Sequence, residues 1–305
     1  MRLPAVGRVA DLLTGHLTDA AYATGWGVVR ALPEGAAHAL FRAGADLAAA
    51  RGGPGVDRLR ANLVRVAPDR DPDALVRDGL RSYARYWCEV FRLPVTPAER
   101  IQAGMELHDP PGRLHEALRS GRGTVLALPH SGNWDHAGAW LVGQGAPFTT
   151  VAERLRPEQL YDRFVAFRES LGMEVLPLTG GRPPFEVLVQ RLEAGGTLCL
   201  LSDRDLSARG VPVDFFGAAT RMPAGPASLA LRTGAVLLPV TLSFRPDGWR
   251  AVIHPEVPPT DVATMTQRLA DAFAAGIAEH PADWHMLQRL WLDDLAADDP
   301  RRGAA

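Results

Sequence analysis

Apolar residues recur three and four positions apart through the first third of the chain. This spacing is typical of helices that bury one face, and breaks near Pro33, residues 52–55 and Pro94 divide the segment into several of them. One of these helices is predicted over residues 72–93. We therefore expect an N-terminal helical region that spans residues 1–108.

After residue 121 the pattern changes to short β-branched and leucine-rich runs that alternate with helical stretches. The predicted strands are residues 124–128, 148–152, 174–178, 197–202, 235–244 and 249–254. The predicted helices are residues 134–143, 157–171, 183–194 and 223–232. This alternation is typical of an α/β fold, in which helices flank a central sheet. We assign residues 109–295 to one α/β domain and residues 296–305 to a disordered tail.

The first helices of the chain are apolar and carry few charges, with Leu12, Leu13 and Leu17 on their apolar side. Such a segment suits an anchor that lies in a membrane interface. Packing of the same side against the rest of the protein is an equal alternative. Because no uninterrupted apolar run reaches the roughly 18 residues that a spanning helix needs, we expect a protein without a membrane span.

Charge and composition narrow the range of functions. The chain has 33 basic and 35 acidic residues and a formal net charge of −2, which does not favour nucleic acid as a partner. Every basic residue is an arginine, so mechanisms that need a lysine, such as a Schiff base or a Walker A loop, are excluded. A GC-rich genome is the favoured origin of this bias.

The stretch from His130 to Asp135 is the candidate for chemistry. His130 follows an apolar strand through Pro129, and a helix is predicted to begin after Gly132. If the turn folds back, Asp135 can orient the imidazole as a base, and the backbone N–H groups of residues 132–134 can receive an oxyanion. The alternative is that His130 is a capping or core residue and Asp135 only a first-turn acid.

No Gly-x-Ser-x-Gly turn occurs, so the usual site of a hydrolase serine is missing from the sequence. A histidine base without such a nucleophile suggests that it deprotonates the acceptor itself. Asp203 follows the fourth predicted strand, at the sheet edge where α/β proteins bind ligands. Arg209 and Arg221 are candidates for phosphate contacts, although both also suit solvent-exposed loops.

Several motifs resemble the lysophospholipid acyltransferase superfamily, in the branch that acylates lipid A and phosphatidylinositol mannosides. They are Leu128-Pro-His-Ser-Gly-Asn-Trp-Asp135, Val151-Ala-Glu-Arg154, Phe167-Arg-Glu-Ser-Leu-Gly172, Leu201-Ser-Asp-Arg-Asp-Leu206 and Leu237-Leu-Pro-Val240. The stretches Ser82–Trp87, Val213–Gly217, Arg221–Pro226 and His280–Leu287 are most similar to the mannoside acyltransferases. The resemblance extends from about residue 58 to residue 295.

This resemblance implies site residues. His130 and Asp135 would be the catalytic pair, and Asp203 would complete the site. Arg168 and Glu153 would bind the substrate or acyl-CoA, and we add Arg209 as a binding candidate. The branch often has glutamate where this chain has Asp203. No metal is expected, and no cofactor beyond acyl-CoA as the donor substrate.

The function that the resemblance implies is transfer of a long fatty acyl chain from acyl-CoA to a mannose hydroxyl of a phosphatidylinositol mannoside. A lauroyl-type lipid A acyltransferase is one alternative, and a non-catalytic lipid-binding protein is another. The expected partners are acyl-CoA, a membrane glycolipid acceptor and the membrane surface, with no nucleic acid. We therefore expect a peripheral protein at the cytoplasmic face of the cell membrane.

Overall fold

A computed structural model describes residues 25–154, 158–179, 183–205, 209–296 and 299. The predictions for Leu12, Leu13 and Leu17, and for most of the tail, lie outside these residues. The N-terminal part is helical at residues 25–31 and then forms α1 (Glu34–Arg51), α2 (Pro54–Val66), α3 (Pro72–Arg92) and α4 (Ala98–Ala103). Helix α3 begins where Asp71 accepts a hydrogen bond from the Asp73 backbone N–H and Pro72 takes the first turn.

The second part of the described chain is a layered α/β structure. Its strands are β1 (Met105–His108), β2 (Thr124–Leu128), β3 (Phe148–Ala152), β4 (Met173–Pro177), β5 (Thr197–Leu201), β6 (Val211–Phe215), β7 (Ala218–Met222), β8 (Val236–Arg245) and β9 (Gly248–Ile253). Its helices are α5 (Arg113–Arg119), α6 (Trp134–Gly143), α7 (Glu158–Ser170), α8 (Phe185–Glu193), α9 (Gly225–Thr233) and α10 (Val262–Glu279). The α/β prediction is confirmed.

The central sheet has seven strands in the order β1-β9-β8-β2-β5-β3-β4. All neighbours are parallel except β8 and β9, which are antiparallel. The central strand β2 is buried along its whole length, and its side chains alternate between two cores. Val125 and Ala127 belong to the core with α8, α9 and α10, whereas Leu126 and Leu128 belong to the core with α3, α6 and α7.

The structure corrects the prediction at three places. Met105–His108, which the pattern placed in the helical region, forms the edge strand β1 and pairs with β9. A strand of four residues is too short to show a period of its own. The hairpin of β6 and β7 was not predicted, and its turn uses Phe216 and Gly217 at φ values of 55° and 72°. Helix α10 was also missed.

No helix among the described residues is both long and apolar enough to cross a bilayer. Exposed large apolar side chains occur in the N-terminal region, where Val28, Leu40 and Leu47 are each about half exposed. Most of the exposed large apolar side chains among the described residues therefore lie on the helical region, although Leu178, directly after β4, is also exposed.

Candidate active site

His130 and Asp203 lie together because they follow neighbouring parallel strands. Strands β2 and β5 pair in register, and their ladder continues one step further, where the Ser202 N–H donates to the Leu128 carbonyl over 2.7 Å. The residues that come next along each strand are therefore brought side by side. His130 Nδ1 lies 2.5 Å from Asp203 Oδ1, at the carboxyl edge of the sheet.

The carboxylate of Asp203 is completely buried and accepts hydrogen bonds from three directions. The His130 backbone N–H donates to Oδ2 over 3.0 Å, and the Trp284 indole N–H donates to the same oxygen over 2.9 Å. Burial acts to raise the pKa of Asp203, but the charge of His130 and these hydrogen bonds outweigh it and lower the pKa. An ionised Asp203 accepts from Nδ1–H of His130, which leaves a lone pair on Nε2.

The imidazole of His130 is 22% exposed, and His130 lines a groove. Trp134 lies edge-on to the imidazole, with ring centroids 5.6 Å apart. A histidine that is oriented by a buried acid and partly open to a groove has the geometry of a general base. The arrangement supports removal of a proton from a hydroxyl group.

Asp135 does not take the position that the sequence predicted for it. Its carboxylate is bound by Arg168, with Nε 2.7 Å from Oδ1 and Nη2 3.1 Å from Oδ2. The Tyr86 hydroxyl donates a hydrogen bond to Asp135 Oδ2 over 2.9 Å. The expectation that Asp135 holds the His130 imidazole is therefore corrected. The physical reason is that Asp135 lies in the first turn of α6, which directs its side chain toward α3 and α7.

Asp135 raises the pKa of both groups that bind it, the Arg168 guanidinium and the Tyr86 hydroxyl. Burial acts to lower the pKa of Arg168, but the charge of Asp135 raises it above its ordinary value. Burial and the same negative charge raise the pKa of the Tyr86 hydroxyl well above its ordinary value. Arg168 is therefore a permanent cation and Tyr86 a neutral donor at this side of the site.

The turn after β2 is held by the C-terminal segment. The His285 N–H donates to the His130 carbonyl over 2.8 Å, and the Gly132 N–H donates to the Asp283 carbonyl over 2.9 Å. Gly132 has a φ of 57°, and a side chain there would come within 2.9 Å of the Leu242 backbone. Because its N–H is already bound, Gly132 is removed from the predicted oxyanion donors, and that part of the prediction is corrected.

Other predicted binding residues differ in their relation to the groove. Glu153 and Arg204 both line it and form an ion pair of 3.3 Å. Arg168 lines it as well, whereas Arg209 is exposed and lies outside the lining formed by the described residues. Arg221 donates to the Gly210 carbonyl over 2.9 Å.

An apolar cavity adjoins the groove beneath α6. Trp134, Val151, Arg168 and Leu201 line both spaces, and the Trp134 ring also contacts the His130 imidazole. Apart from the indole N–H groups of Trp134 and Trp140, the polar side chains that the described residues contribute to its lining are those of Thr150, Asp135 and Arg168. The apolar side chains further from the mouth come from the sheet and the helices above it: Leu107, Leu114, Leu126, Leu128, Leu141, Phe148, Met173, Cys199, Val240, Leu242, Ala251 and Ile253. Such a cavity suits an alkyl chain.

His285 is a second histidine in the groove, and it is 7% exposed. Ser82 Oγ donates to Asp283 Oδ1 over 2.7 Å and therefore accepts from His285 Nε2–H over 2.9 Å. Burial, and then the charge of His130, lower the pKa of His285 to about 3. The ring is therefore neutral, and its buried Nδ1 has no hydrogen-bond partner among the described residues. This nitrogen is a free acceptor.

Sequence reasoning missed four residues of this site: Ser82, Tyr86, Trp284 and His285. Ser82 and Tyr86 lie one turn apart on α3, in a stretch that the family resemblance had already marked. Trp284 and His285 also lie within a marked stretch, near the C-terminus. The resemblance to the family could therefore have pointed to these residues, but only the fold shows that these two distant segments lie at the same site as His130.

Comparisons with known proteins give a family match and similar relatives. Residues 10–293 match the sequence model of the family described as bacterial lipid A biosynthesis acyltransferase. The chain is 57% identical over 296 residues to the phosphatidylinositol mannoside acyltransferase of Mycolicibacterium smegmatis, which covers 95% of this chain and 96% of the relative. It is 54% identical over 297 residues to the phosphatidylinositol mannoside acyltransferase of Mycobacterium tuberculosis (strain H37Rv), with 93% and 92% covered.

Proposed function

The chain belongs to the bacterial lipid A biosynthesis acyltransferase family, and from this premise we propose that it transfers a long acyl group from acyl-CoA to a mannose hydroxyl of a phosphatidylinositol mannoside. It is an acyltransferase. The observation that carries the proposal is the pair of His130 and Asp203 beside a groove that contains several polar side chains and adjoins an apolar cavity. An acyl transfer needs these parts, namely a base, an acceptor site and a chain site.

In the proposed reaction, His130 Nε2 takes the proton of the acceptor hydroxyl while the oxygen of that hydroxyl attacks the thioester carbonyl carbon. The carbon–oxygen bond forms, and the carbon–sulfur bond of the tetrahedral intermediate then breaks. The CoA sulfur leaves with the proton that His130 accepted, so the imidazole is neutral again. Asp203 keeps Nδ1–H bound and stabilises the imidazolium that exists between the two steps. The proposed reaction uses no metal and no organic cofactor.

Arg168 supports the proposal because it is a cation in the lining of the site. Its guanidinium binds Asp135 through Nε and Nη2, and it lines both the groove and the cavity mouth. A fixed cation at this position attracts the negative charge that develops on the thioester oxygen or resides on a phosphate. Glu153 and Arg204 lie further along the groove, where we propose that they contact the polar part of a substrate.

His285 supports a hydroxyl-rich acceptor. His285 lines the groove, and its neutral Nδ1 is a buried acceptor that is unpaired among the described residues and becomes available to a substrate when the groove adjusts on binding. A buried acceptor without a partner costs free energy, and a sugar hydroxyl removes that cost by donating to it. The relatives named for phosphatidylinositol mannosides support a mannose as the sugar.

The proposed location is the cytoplasmic face of the cell membrane, where the lipid acceptor and the soluble donor both have access to one groove. Exposed apolar side chains at Val28, Leu40 and Leu47 support contact with a membrane through the helical region. The predicted anchor over residues 3–29 belongs to the same region, although residues 3–24 lie outside the described residues.

The experiment that tests the function is incubation of the purified protein with radiolabelled hexadecanoyl-CoA and purified phosphatidylinositol mannosides. We expect a labelled acylated mannoside and one free thiol for each acyl group transferred. A lipid A precursor serves as the second acceptor, and His130→Ala serves as the inactive variant, with a loss of about 10²- to 10⁴-fold. Transfer only to the lipid A precursor contradicts the proposed acceptor, and binding without thiol release contradicts catalysis.

A further inference from the structure

His130 and Asp203 form a dyad, and the Trp284 side chain contacts its acid rather than its histidine. Its indole Nε1–H donates to Asp203 Oδ2 over 2.9 Å, and both side chains have no exposed surface. The other carboxylate oxygen, Oδ1, faces His130 Nδ1 at 2.5 Å. The two oxygens of Asp203 are therefore distinguished by their donors, because the indole and the His130 backbone N–H both hold Oδ2.

We propose that Trp284 is a positioning residue for the acyl transfer: its indole fixes the Asp203 carboxylate so that Oδ1 faces the His130 imidazole. This inference rests on the proposed function and deepens it. Trp284 touches neither the substrate route nor His130 Nε2 in this role, and it acts only through Asp203.

The position of the indole is determined by its backbone and by its ring contacts. Trp284 pairs with Ser131 as an isolated antiparallel bridge, so the residue is tied to the turn that carries His130. The indole packs edge-on against Phe215 and Trp291, with ring centroids 5.9 and 6.0 Å away. A ring held in this way cannot turn its N–H away from the carboxylate without displacing the core.

The hydrogen bond also affects the charge of the dyad. The positive end of the indole N–H dipole lies at Oδ2 and offsets part of the carboxylate charge that attracts the imidazolium. In Trp284→Phe the His130 backbone N–H still holds Oδ2, so the carboxylate is less firmly oriented but stays beside the imidazole. More of its charge is then available to attract the proton on His130. The acid limb of the profile of kcat/KM against pH, where activity falls as His130 is protonated, should then move to higher pH.

The other titratable groups near the dyad should be the same in the parent and in Trp284→Phe. His285 faces His130 closely enough for the His130 charge to lower its pKa. The remaining titratable or charged groups of the groove come from α3, α7 and the segments after β3 and β5: Tyr83, Tyr86, Glu153, Tyr161, Arg168, Arg204 and Asp205. Asp135 binds Arg168, and Asp283 binds Ser82, behind the lining. None of these groups hydrogen-bonds Trp284 Nε1, so Trp284→Phe should leave their contacts intact.

The test is the pH profile of kcat/KM in Trp284→Phe, which removes the N–H and keeps an aromatic ring. We expect kcat to fall about 10-fold, the KM for acyl-CoA to change little, and the acid limb to rise by about 0.3 to 1 pH unit. Trp26→Phe is the matched control, since its buried indole donates to the Phe91 carbonyl over 2.8 Å and its ring packs against Phe91, Phe164 and Phe167 instead of Trp284. The control should lose similar stability with an unmoved acid limb. A shift of equal size in both variants, or in neither, overturns the proposal.

A double-variant cycle separates positioning from general damage. In the Asp203→Asn background, Trp284→Phe should cost less than about threefold more in kcat, because the group it acts on is already lost. A full second loss of about 10-fold contradicts the proposal.

Should Trp284→Phe not fold, ¹H NMR of the folded Asp203→Asn protein decides the question. One indole N–H resonance should move upfield relative to the parent, because a neutral amide is a weaker acceptor. Indole resonances that are all unchanged overturn the proposal. This readout needs no activity, so it stays valid if the chain transfers no acyl group and the proposed function fails.

Discussion

Arg168 and Asp135 form a two-point ion pair where the groove meets the apolar cavity. Nε lies 2.7 Å from Oδ1, Nη2 lies 3.1 Å from Oδ2, and the Asp135 carboxylate is only 1% exposed. The acid of the His130–Asp135 motif thus orients an arginine, while the histidine takes its acid from the end of another strand. Separate roles for Asp203 and Asp135 lead to different expectations for their variants.

Asp203→Asn should reduce turnover without a matching loss of donor binding. The amide cannot stabilise the imidazolium and can impose the wrong tautomer on His130, so we expect kcat to fall by about 10³- to 10⁴-fold. Single-turnover kinetics with saturating acyl-CoA measure this loss. Asp214→Asn, at an exposed position in β6, is the control. A variant that keeps parental kcat would show that Asp203 is a structural acid.

Asp135→Asn should lower stability as well as activity. The neutral amide leaves the Arg168 charge without its partner, and we expect the free energy of unfolding to fall by about 2–4 kcal/mol. Urea unfolding measures this change. Adding Arg168→Met to Asp135→Asn removes the unpaired charge and should restore most of the stability but not the activity. Unchanged stability in the single variant would contradict this role.

Narrowing the cavity should change the preference for chain length. Cys199 lies in β5 and lines the cavity, so Cys199→Phe fills space that a long acyl chain would occupy. We expect kcat/KM for hexadecanoyl-CoA to fall about 10-fold or more, whereas octanoyl-CoA changes little. Steady-state assays with both donors give the ratio, and the short donor acts as the internal control. An equal loss with both donors would place the acyl chain elsewhere.

His136 should contribute to unfolding in acid. Burial lowers its pKa from 6.5 to about 3, and its ring stacks on Trp249 with a centroid distance of 3.4 Å. The unfolded chain therefore binds more protons between these values, so stability is complete above pH 6.5 and falls as the pH drops toward 3.

The consequence is that His136→Gln should lose less of its melting temperature than the parent when the pH is lowered from 7 to 4. Differential scanning calorimetry at several pH values measures the slope, and His115→Gln, at an exposed position of α5, should behave like the parent. Parallel slopes in all three proteins would exclude His136 as a source of acid sensitivity. His285 has the same sign and remains in every variant.

Membrane attachment should depend on the N-terminal apolar segment. Replacing Leu12, Leu13 and Leu17 with glutamate should release the protein from vesicles, because charged side chains oppose apolar insertion. Transfer to a detergent-dispersed acceptor should persist. Vesicle flotation compares this variant with the parent and with Leu40→Glu/Leu47→Glu, which alters the exposed leucines of α1. Equal flotation of the triple variant and the parent would place the contact outside this segment.

The long elements of the α/β part were predictable because each has a local signal. Strands β2 and β3 and helix α6 have the predicted limits, since an apolar run or a helical period ends there at a turn residue. The edge strand β1 is too short for such a signal, and Met105–His108 becomes a strand by pairing with β9. The hairpin of β6 and β7 likewise depends on pairing that a period cannot show.

The sequence by itself determined the chemistry that this protein carries. It singled out His130 as the candidate base, marked Asp203 at the end of a strand, and showed the motifs of the family. Only the tertiary structure decided which acid serves His130, because β2 and β5 are adjacent in the sheet although their ends are 73 residues apart. It also brought Trp284 to Asp203 across 81 residues. Sequence spacing limits which groups can meet within a turn, whereas strand pairing and core packing decide which groups meet across the chain.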